Sequence, residues 1–430
     1  MKLLATPLLG AVSAALFASL ATLAAQEKEQ VVGKAAPQEP RLGWNQWRGP
    51  LRDGRSSDTG LLRKWPKGGP TLVWKKKGLG AGFSSVSFAG DRIFTMGDRD
   101  GAARMFALDA KTGNVLWSAR VGKPGGTRNA GPRSTPSTDG KLVFGLGQDG
   151  ALICAEVTTG DVKWLKSLPK DFGGRMMSGW GFSESPLLDG DHLVCTPGGR
   201  GGTVLALEKT TGKVVWRCEE LRDRAGYCSL VPVEIGGVEQ YLAFTGRSVA
   251  GIAAKDGKLL WRGDRPGKTA VCSGPVHHEG LIFVSSAYKV GCNAFRVTAR
   301  GGKFGVEEIY AGKQMQSHHG GVIIVGDHVY GLGRRNLKCI ELSTGKVKWE
   351  KLSVGKGSIA YADGHFIVRG ERTGNIALIE ATPDGYKEKG RFSQPDRSEA
   401  PAWAHPVVFG GRLYIRDQGV LLCYDVKTDQ

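Results

Sequence analysis

The chain has 430 residues, 65 of them Gly and 19 Pro, at 40 % hydrophobic content. So many turn formers point to tight turns rather than long helices, and the length admits two or three ordinary domains or one large repeat domain. Lys and Arg total 59 against 41 Asp and Glu, a formal net charge of +18 spread along the chain, which favours acidic partners and a solvated basic surface.

The first elements lie outside the fold. Lys2 is the only charge before an apolar run from Leu3 to Ala25, and Thr22 to Ala25 supply small residues for cleavage. Residues 1–25 therefore read as a secretory signal peptide, with an uncleaved membrane anchor as the alternative. Residues 26–43 are polar and Pro-containing, as expected of a flexible tether. Export places the expected address in the periplasm or cell envelope, with no transmembrane span after cleavage, and argues against nucleic acid as a partner.

A repeat follows. Ala107–Trp117, Cys154–Trp164, Ala206–Trp216, Gly251–Trp261 and Cys339–Trp349 each hold a short strand, a Thr-Gly or Asp-Gly turn, and an alternating strand ending in Trp. The Gly permits the positive φ of a tight hairpin, and the period-2 alternation marks sheet. Two degenerate copies, at 293–310 and 378–392, are expected to put Tyr310 and Phe392 in the Trp slot. Two further strand signals precede each copy, so each unit has four strands, the makings of a propeller blade.

The aromatic slots fall at 74, 117, 164, 216, 261, 310, 349 and 392. A last unit from Trp403 stops at Gln430, before its own Trp strand. Thr71-Leu72-Val73-Trp74, near the front, is a Trp strand with no blade. The economical solution is an all-β, eight-bladed β-propeller over residues 44–430, its last blade closed by the N-terminal strand, because ring closure removes open sheet edges.

This repeat resembles the PQQ-like (pyrroloquinoline-quinone repeat) propeller superfamily, whose signature Ala-Leu-Asp-x-x-Thr-Gly-x-x-x-Trp is closely matched at 107–117 and 206–216. The opening Trp44-Asn-Gln-Trp-Arg-Gly-Pro50 is similar to the N-terminal signature of exported PQQ-repeat proteins. The resemblance implies either of two activities. One is a PQQ- and Ca²⁺-dependent quinoprotein alcohol dehydrogenase. The other is a non-catalytic BamB-like binding scaffold. The dehydrogenase requires a calcium site, a carboxylate base and, in many members, adjacent cysteines over the quinone. This chain has no Cys-Cys dipeptide and no Cys-x-x-Cys-His haem motif. The scaffold reading is therefore preferred, with no catalytic residue assigned unless Glu184 serves as ligand or base.

Of the eight cysteines, Cys154, Cys339 and Cys423 share one repeat position and read as buried apolar residues. Cys218 with Cys228, or Cys272 with Cys292, are candidate local disulfides. No cysteine spacing suggests zinc, and no metal site is assigned.

Residues leading into the first strand of each blade should ring one mouth of the central channel. That alignment collects Ser84-Ser85, Arg133-Ser134-Thr135, Ser183-Glu184-Ser185, Cys228-Ser229, Cys272-Ser273, His318-His319, Ser358 and Trp403-Ala404-His405. Arg133 suits an anionic group and Trp180 offers a stacking face. The ligand-binding candidates are Arg133, Trp180, Glu184, His318, His319, Ser358, Trp403 and His405. Strand alternation predicts that His318 and His319 point to opposite faces, and the His277-His278 pair is expected in an exposed turn. The expected partner is a protein, an anionic polysaccharide or a small ligand at this mouth.

Overall fold

The repeat motif explains itself once its parts are seen in contact. In the first copy Asp109 Oδ1 accepts from both the Thr112 amide and the Thr112 hydroxyl at 2.7 Å, and Gly113 at φ +72 carries the chain into the next strand. A Cβ on Gly113 would sit 2.6 Å from the Trp74 ring. The same approach recurs between Gly160 and Trp117, Gly212 and Trp164, Gly257 and Trp216, and Gly345 and Tyr310. The turn glycine thus answers two demands, a left-handed backbone and room for the neighbouring blade's ring. Most of these rings also bridge blades by a hydrogen bond. Trp74 Nε1 donates to the Ala110 carbonyl, Trp117 to Val157, Trp164 to Lys209, Trp349 to Thr382, and the Tyr310 hydroxyl to Leu342, at 2.9–3.2 Å.

The computed structural model describes residues 43–126, 129–269 and 271–428. The signal-peptide and tether assignments lie outside the described residues. Thirty-two strands form eight four-stranded antiparallel sheets, with one short helix at Leu168–Phe172. No described helix is long and apolar enough to cross a membrane. Seven blades are built from consecutive strands: 87–122, 137–167, 187–217, 231–264, 276–312, 322–352 and 357–393. The eighth takes three strands from 407–425 and its outer strand from Leu72–Lys76. Trp74 pairs with Cys423 and Leu72 with Tyr424, so the ring closes through the N-terminal strand. Cys154 pairs with Trp164 and Cys339 with Trp349 in the same register. All three of these cysteines are buried in the interblade core, where they pack as small apolar groups.

The seventh blade departs from expectation. Leu378 pairs with Gly390, and the bulge that follows Cys154 opposite Trp164 follows Leu378 opposite Gly390. The Trp slot therefore holds Gly390, not Phe392. Trp65, from the N-terminal segment, covers it: its amide donates to the Lys389 carbonyl at 2.9 Å and its ring meets Phe392 edge-on at 5.4 Å. A Cβ on Gly390 would lie 2.6 Å from Trp65 Cβ. The missing aromatic is supplied from elsewhere in the chain, and both Trp65 and Phe392 are buried.

The segment around residues 44–56 crosses the channel. Its backbone and side chains bond to inner strands around the ring: Phe88 N to the Trp44 carbonyl, Thr138 N to Asn45, Arg52 to the Ser185 carbonyl, Arg48 to Val322, Arg55 to Ile324, and Tyr361 N to Gly54. Arg48 and Arg52 are only 3 % and 1 % exposed. Buried guanidinium groups need acceptors, and here the ends of the inner strands provide carbonyls. The segment from Trp44 to Arg55 is thus a plug that ties five blades together.

Candidate functional site

Above the plug lies a cavity of about 160 Å³ at the channel mouth. The loops leading into the inner strands build its wall, and Trp47 of the plug contributes from below. Ser85, Thr135, Ser183, Ser229, Cys272, the pair His318 and His319, and the pair Trp403 and His405 all face it, one position or pair from each blade except the seventh. Of the eight candidates drawn from the sequence, Arg133, Trp180, His318, His319, Trp403 and His405 line the cavity, and the structure brings them together.

Glu184 and Ser358 do not line it. Ser358 is 1 % exposed and its hydroxyl faces the Ala404 carbonyl at 3.4 Å. Glu184 lies behind the wall at 3 % exposure, where Oε1 accepts from the Thr196 amide at 2.6 Å. Burial pushes its carboxyl up to about 7, against hydrogen bonds from Thr196 and the charge of Arg52. Arg52 itself is held down to about 9 by burial. Ser183, one residue earlier, takes the wall position instead.

The wall is an arc of rings. Phe83 stacks on Trp403 at 4.1 Å, Trp403 on His319 at 3.9 Å, His319 meets His318 at 3.6 Å, and Tyr288 closes edge-on to His318 at 5.3 Å. Trp47 meets His405 edge-on at 5.9 Å. The expectation that His318 and His319 face opposite ways fails. They lie in a loop four and three residues before the strand Val322–Val325, and Gly321 turns the chain at φ +72. Strand alternation does not apply there, so both rings reach one cavity. Phe83, Tyr227, Tyr288, Asn129, Thr269 and Trp47 were missed. Phe83 and Tyr227 stand one residue ahead of the aligned positions, a signal that the alignment carried, whereas Trp47 and Tyr288 come from the plug and a hairpin tip.

Arg133 is the cation of the wall. Nη1 donates to the Trp180 carbonyl at 2.7 Å and Nη2 to Asn129 at 2.9 Å, while the guanidinium lies 5.9 Å from the Phe83 ring centre and 6.0 Å from that of Trp403. These neutral partners leave its charge uncompensated at contact distance among the described residues. Burial holds the imidazoles neutral: His318 and His405 fall to about 3, and His319 lies well below its usual value, with further lowering by nearby cations. Burial pushes the Cys272 thiol up to about 12, opposed by Arg133 and Lys356.

Two further sequence expectations change. All eight cysteines are free. Cys218 and Cys228 lie in different core clusters, and Cys272 faces the cavity while Cys292 is packed in the core, so neither proposed disulfide is present. His277 is not in an exposed turn. It lies in the strand Val276–His278 and accepts from the Gly280 amide at 3.2 Å, and burial lowers it to about 4.

A family model described as "Outer membrane protein assembly factor BamB" matches residues 39–164 and 124–351. The chain belongs to this PQQ-like β-propeller family. Among curated relatives, the tetrathionate hydrolase of Acidithiobacillus ferrooxidans is 24 % identical over 284 residues, 60 % of this chain and 51 % of that protein. The outer membrane protein assembly factor BamB of Bordetella pertussis is 26 % identical over 187 residues, 42 % of this chain and 43 % of that one. The quinone alcohol dehydrogenase subunit of Gluconobacter oxydans is 33 % identical over 125 residues, 27 % of this chain and 16 % of the relative. The matched stretches thus span about half of these relatives or less. Solved propellers agree in fold. BamB from Moraxella catarrhalis superposes with a TM-score of 0.59 at 14 % identity, covering 84 % of this chain and 98 % of that one. The quinohemoprotein alcohol dehydrogenase ADHIIG from Pseudomonas putida HK5 gives 0.61 at 13 %, covering 90 % and 81 %.

The family's dehydrogenases raise the question of a calcium-held quinone. Calcium takes six to eight oxygen ligands, carboxylates foremost. No described lining residue is Asp or Glu, and the nearest candidate, Glu184, is buried behind the wall with one oxygen engaged. The oxygen donors of the wall are hydroxyls and the Asn129 amide. This donor set does not fit a calcium–quinone centre, and no described lining residue is a carboxylate that could serve as metal ligand or proton acceptor there.

Proposed function

We propose that this protein is an exported, non-catalytic binding ring of the periplasm or cell envelope, which seats an acidic group of its partner in the channel-mouth cavity. The observation that carries the reading is the wall itself: an aromatic arc, hydroxyls, neutral imidazoles and one guanidinium without a contacting carboxylate. Aromatic faces supply contact area at low entropic cost, and a desolvated Arg selects carboxylate or phosphate. The net charge of +18 adds long-range attraction for such partners. A protein partner is favoured, because the matching family model and the Bordetella pertussis relative are outer membrane protein assembly factors. The dehydrogenase reading draws support from a sequence match over 27 % of this chain and from fold-level likeness, a weak guide to activity, while the cavity lining offers it no carboxylate.

The test is equilibrium titration of the full chain, read by Trp fluorescence, with a Glu-rich peptide, an oligogalacturonate and a small dicarboxylate as separate probes. The expected result is saturable binding of the peptide that weakens at least tenfold in Arg133→Ala. Equal affinity in wild type and Arg133→Ala would contradict the reading, and tighter binding of the oligosaccharide would move the partner class to polysaccharide.

A further inference from the structure

Three soft or borderline metal donors converge where the sequence offered no metal motif. Cys272 Sγ and one ring nitrogen each of His318 and His319 all lie within 4.8 Å of one another. They come from the loops leading into the fifth and sixth blades, and all three residues face the channel-mouth cavity. His318 Nδ1 and His319 Nδ1 are buried without a hydrogen-bond partner among the described residues. Buried polar atoms in native proteins are nearly always satisfied, so two adjacent unpaired imidazole nitrogens beside a free thiol call for an explanation. Metal bonds of 2.0–2.3 Å put the donors of a trigonal or tetrahedral site about 3–4 Å apart.

The rings behind these donors act as a rigid second layer. His319 is stacked on Trp403, which is stacked on Phe83, and Tyr288 abuts His318. These ring contacts restrict the motion of both imidazoles, and all three donor residues face the cavity.

We infer that Cys272, His318 and His319 form a three-coordinate binding site for copper, held as Cu(I). Thiolate and imidazole suit Cu(I) and Zn(II) alike, and a His₂Cys trigonal set is a geometry that copper adopts. Local charge separates the two. Arg133 stands 6.0 Å from the ring of Trp403, which stacks on His319, and Lys356 is bridged to Glu371 at 2.8 Å. His405, the other imidazole near His319, bonds the His319 carbonyl through Nε2. No described lining residue is acidic. Metal binding displaces the Cys272 thiol proton to solvent; the resulting thiolate, two neutral imidazoles and Cu(I) sum to zero charge beside these cations, whereas Zn(II) leaves an uncompensated positive charge among them. The assignment does not depend on the partner proposed above, because the donors meet whether or not an acidic group enters the cavity.

The experiment uses the full-length protein under anaerobic conditions, titrated with Cu(I) against a colorimetric Cu(I) chelator and examined by X-ray absorption. One copper per chain, with one sulfur and two nitrogen scatterers, is expected. Cys272→Ser is expected to lose the sulfur scatterer and at least a hundredfold in affinity, more than outer-shell changes cost. Cys218→Ala, at a buried cysteine far from the cavity, should retain both. If Cys272→Ser does not fold, His318→Gln gives the same reading through loss of one nitrogen scatterer. An unchanged sulfur signal in Cys272→Ser, no stoichiometric Cu(I), or Zn(II) held more tightly than Cu(I) would overturn the assignment. Because the readout is metal affinity and coordination, its failure leaves the peptide-binding test untouched.

Discussion

The outer rim and the channel mouth of this ring use aromatic residues under opposite rules. At the rim, five of the aromatic slots hand a polar hydrogen to a carbonyl of the next blade, and in four of them the next blade's turn glycine lies against the ring. At the mouth, Trp403 Nε1, His318 Nδ1, His319 Nδ1, His405 Nδ1 and Ser273 Oγ are buried without a partner among the described residues. Apart from Trp216 Nε1, which is buried without a partner among the described residues, the rim rings are satisfied and serve stability. The mouth keeps unspent hydrogen-bonding and metal-ligating capacity, at a cost in stability that the plug and interblade packing offset.

Changes at the rim should therefore act on folding, and changes at the mouth on binding. The largest expected effect is at the imported ring: Trp65→Ala should cost about 3–5 kcal/mol, as for other buried Trp truncations, read by chemical denaturation. A loss below about 1 kcal/mol would mean that Trp65 does not fill the seventh blade's slot. Next, Gly113→Ala combines a left-handed backbone with a 2.6 Å approach to Trp74, and should cost about 2–5 kcal/mol. Gly90→Ala, also at positive φ but with open space around it, should cost less, and equal losses would break the argument from close approach.

Two buried titratable groups give smaller, opposed effects of pH on stability. Glu184, raised to about 7, favours the folded state fully below its unfolded value near 4.5, and that contribution is lost as pH rises through about 7. His277, lowered to about 4, does the reverse: its contribution is full above about 6.5 and is lost as pH falls through about 4. The Tm difference between Glu184→Gln and wild type should therefore move in the variant's favour between pH 4.5 and pH 7. A pH-independent difference would place Glu184 in a solvated setting. The smallest effect on stability is expected for Arg133→Ala, within about 1 kcal/mol, although the same change should weaken peptide binding at least tenfold.

This division also governs what the sequence makes legible. The rim is periodic, so the Thr-Gly turns and Trp slots disclose eight blades and the closure through Trp74. Blade seven escapes because its ring, Trp65, is supplied from more than 300 residues away in the chain. At the mouth, repeat alignment locates Ser85, Thr135, Ser183, Ser229, Cys272, His318, His319, Trp403 and His405. Alignment fixes position along the chain but not direction. It offered Glu184 where Ser183 faces the cavity, and it treated the His318-His319 loop as a strand. The joining of Cys272 to two histidines is invisible to spacing, since the three meet only through the packing of adjacent blades. Trp47 carries no repeat signal, and its place below the cavity follows from the plug.

The central claim is that the mouth binds without performing quinone chemistry. The most direct test adds PQQ and Ca²⁺ to the purified full chain and follows dye-linked alcohol oxidation in wild type and Glu184→Gln. The account predicts no turnover above the protein-free background in either. Turnover that requires PQQ and Ca²⁺ and disappears in Glu184→Gln would contradict it.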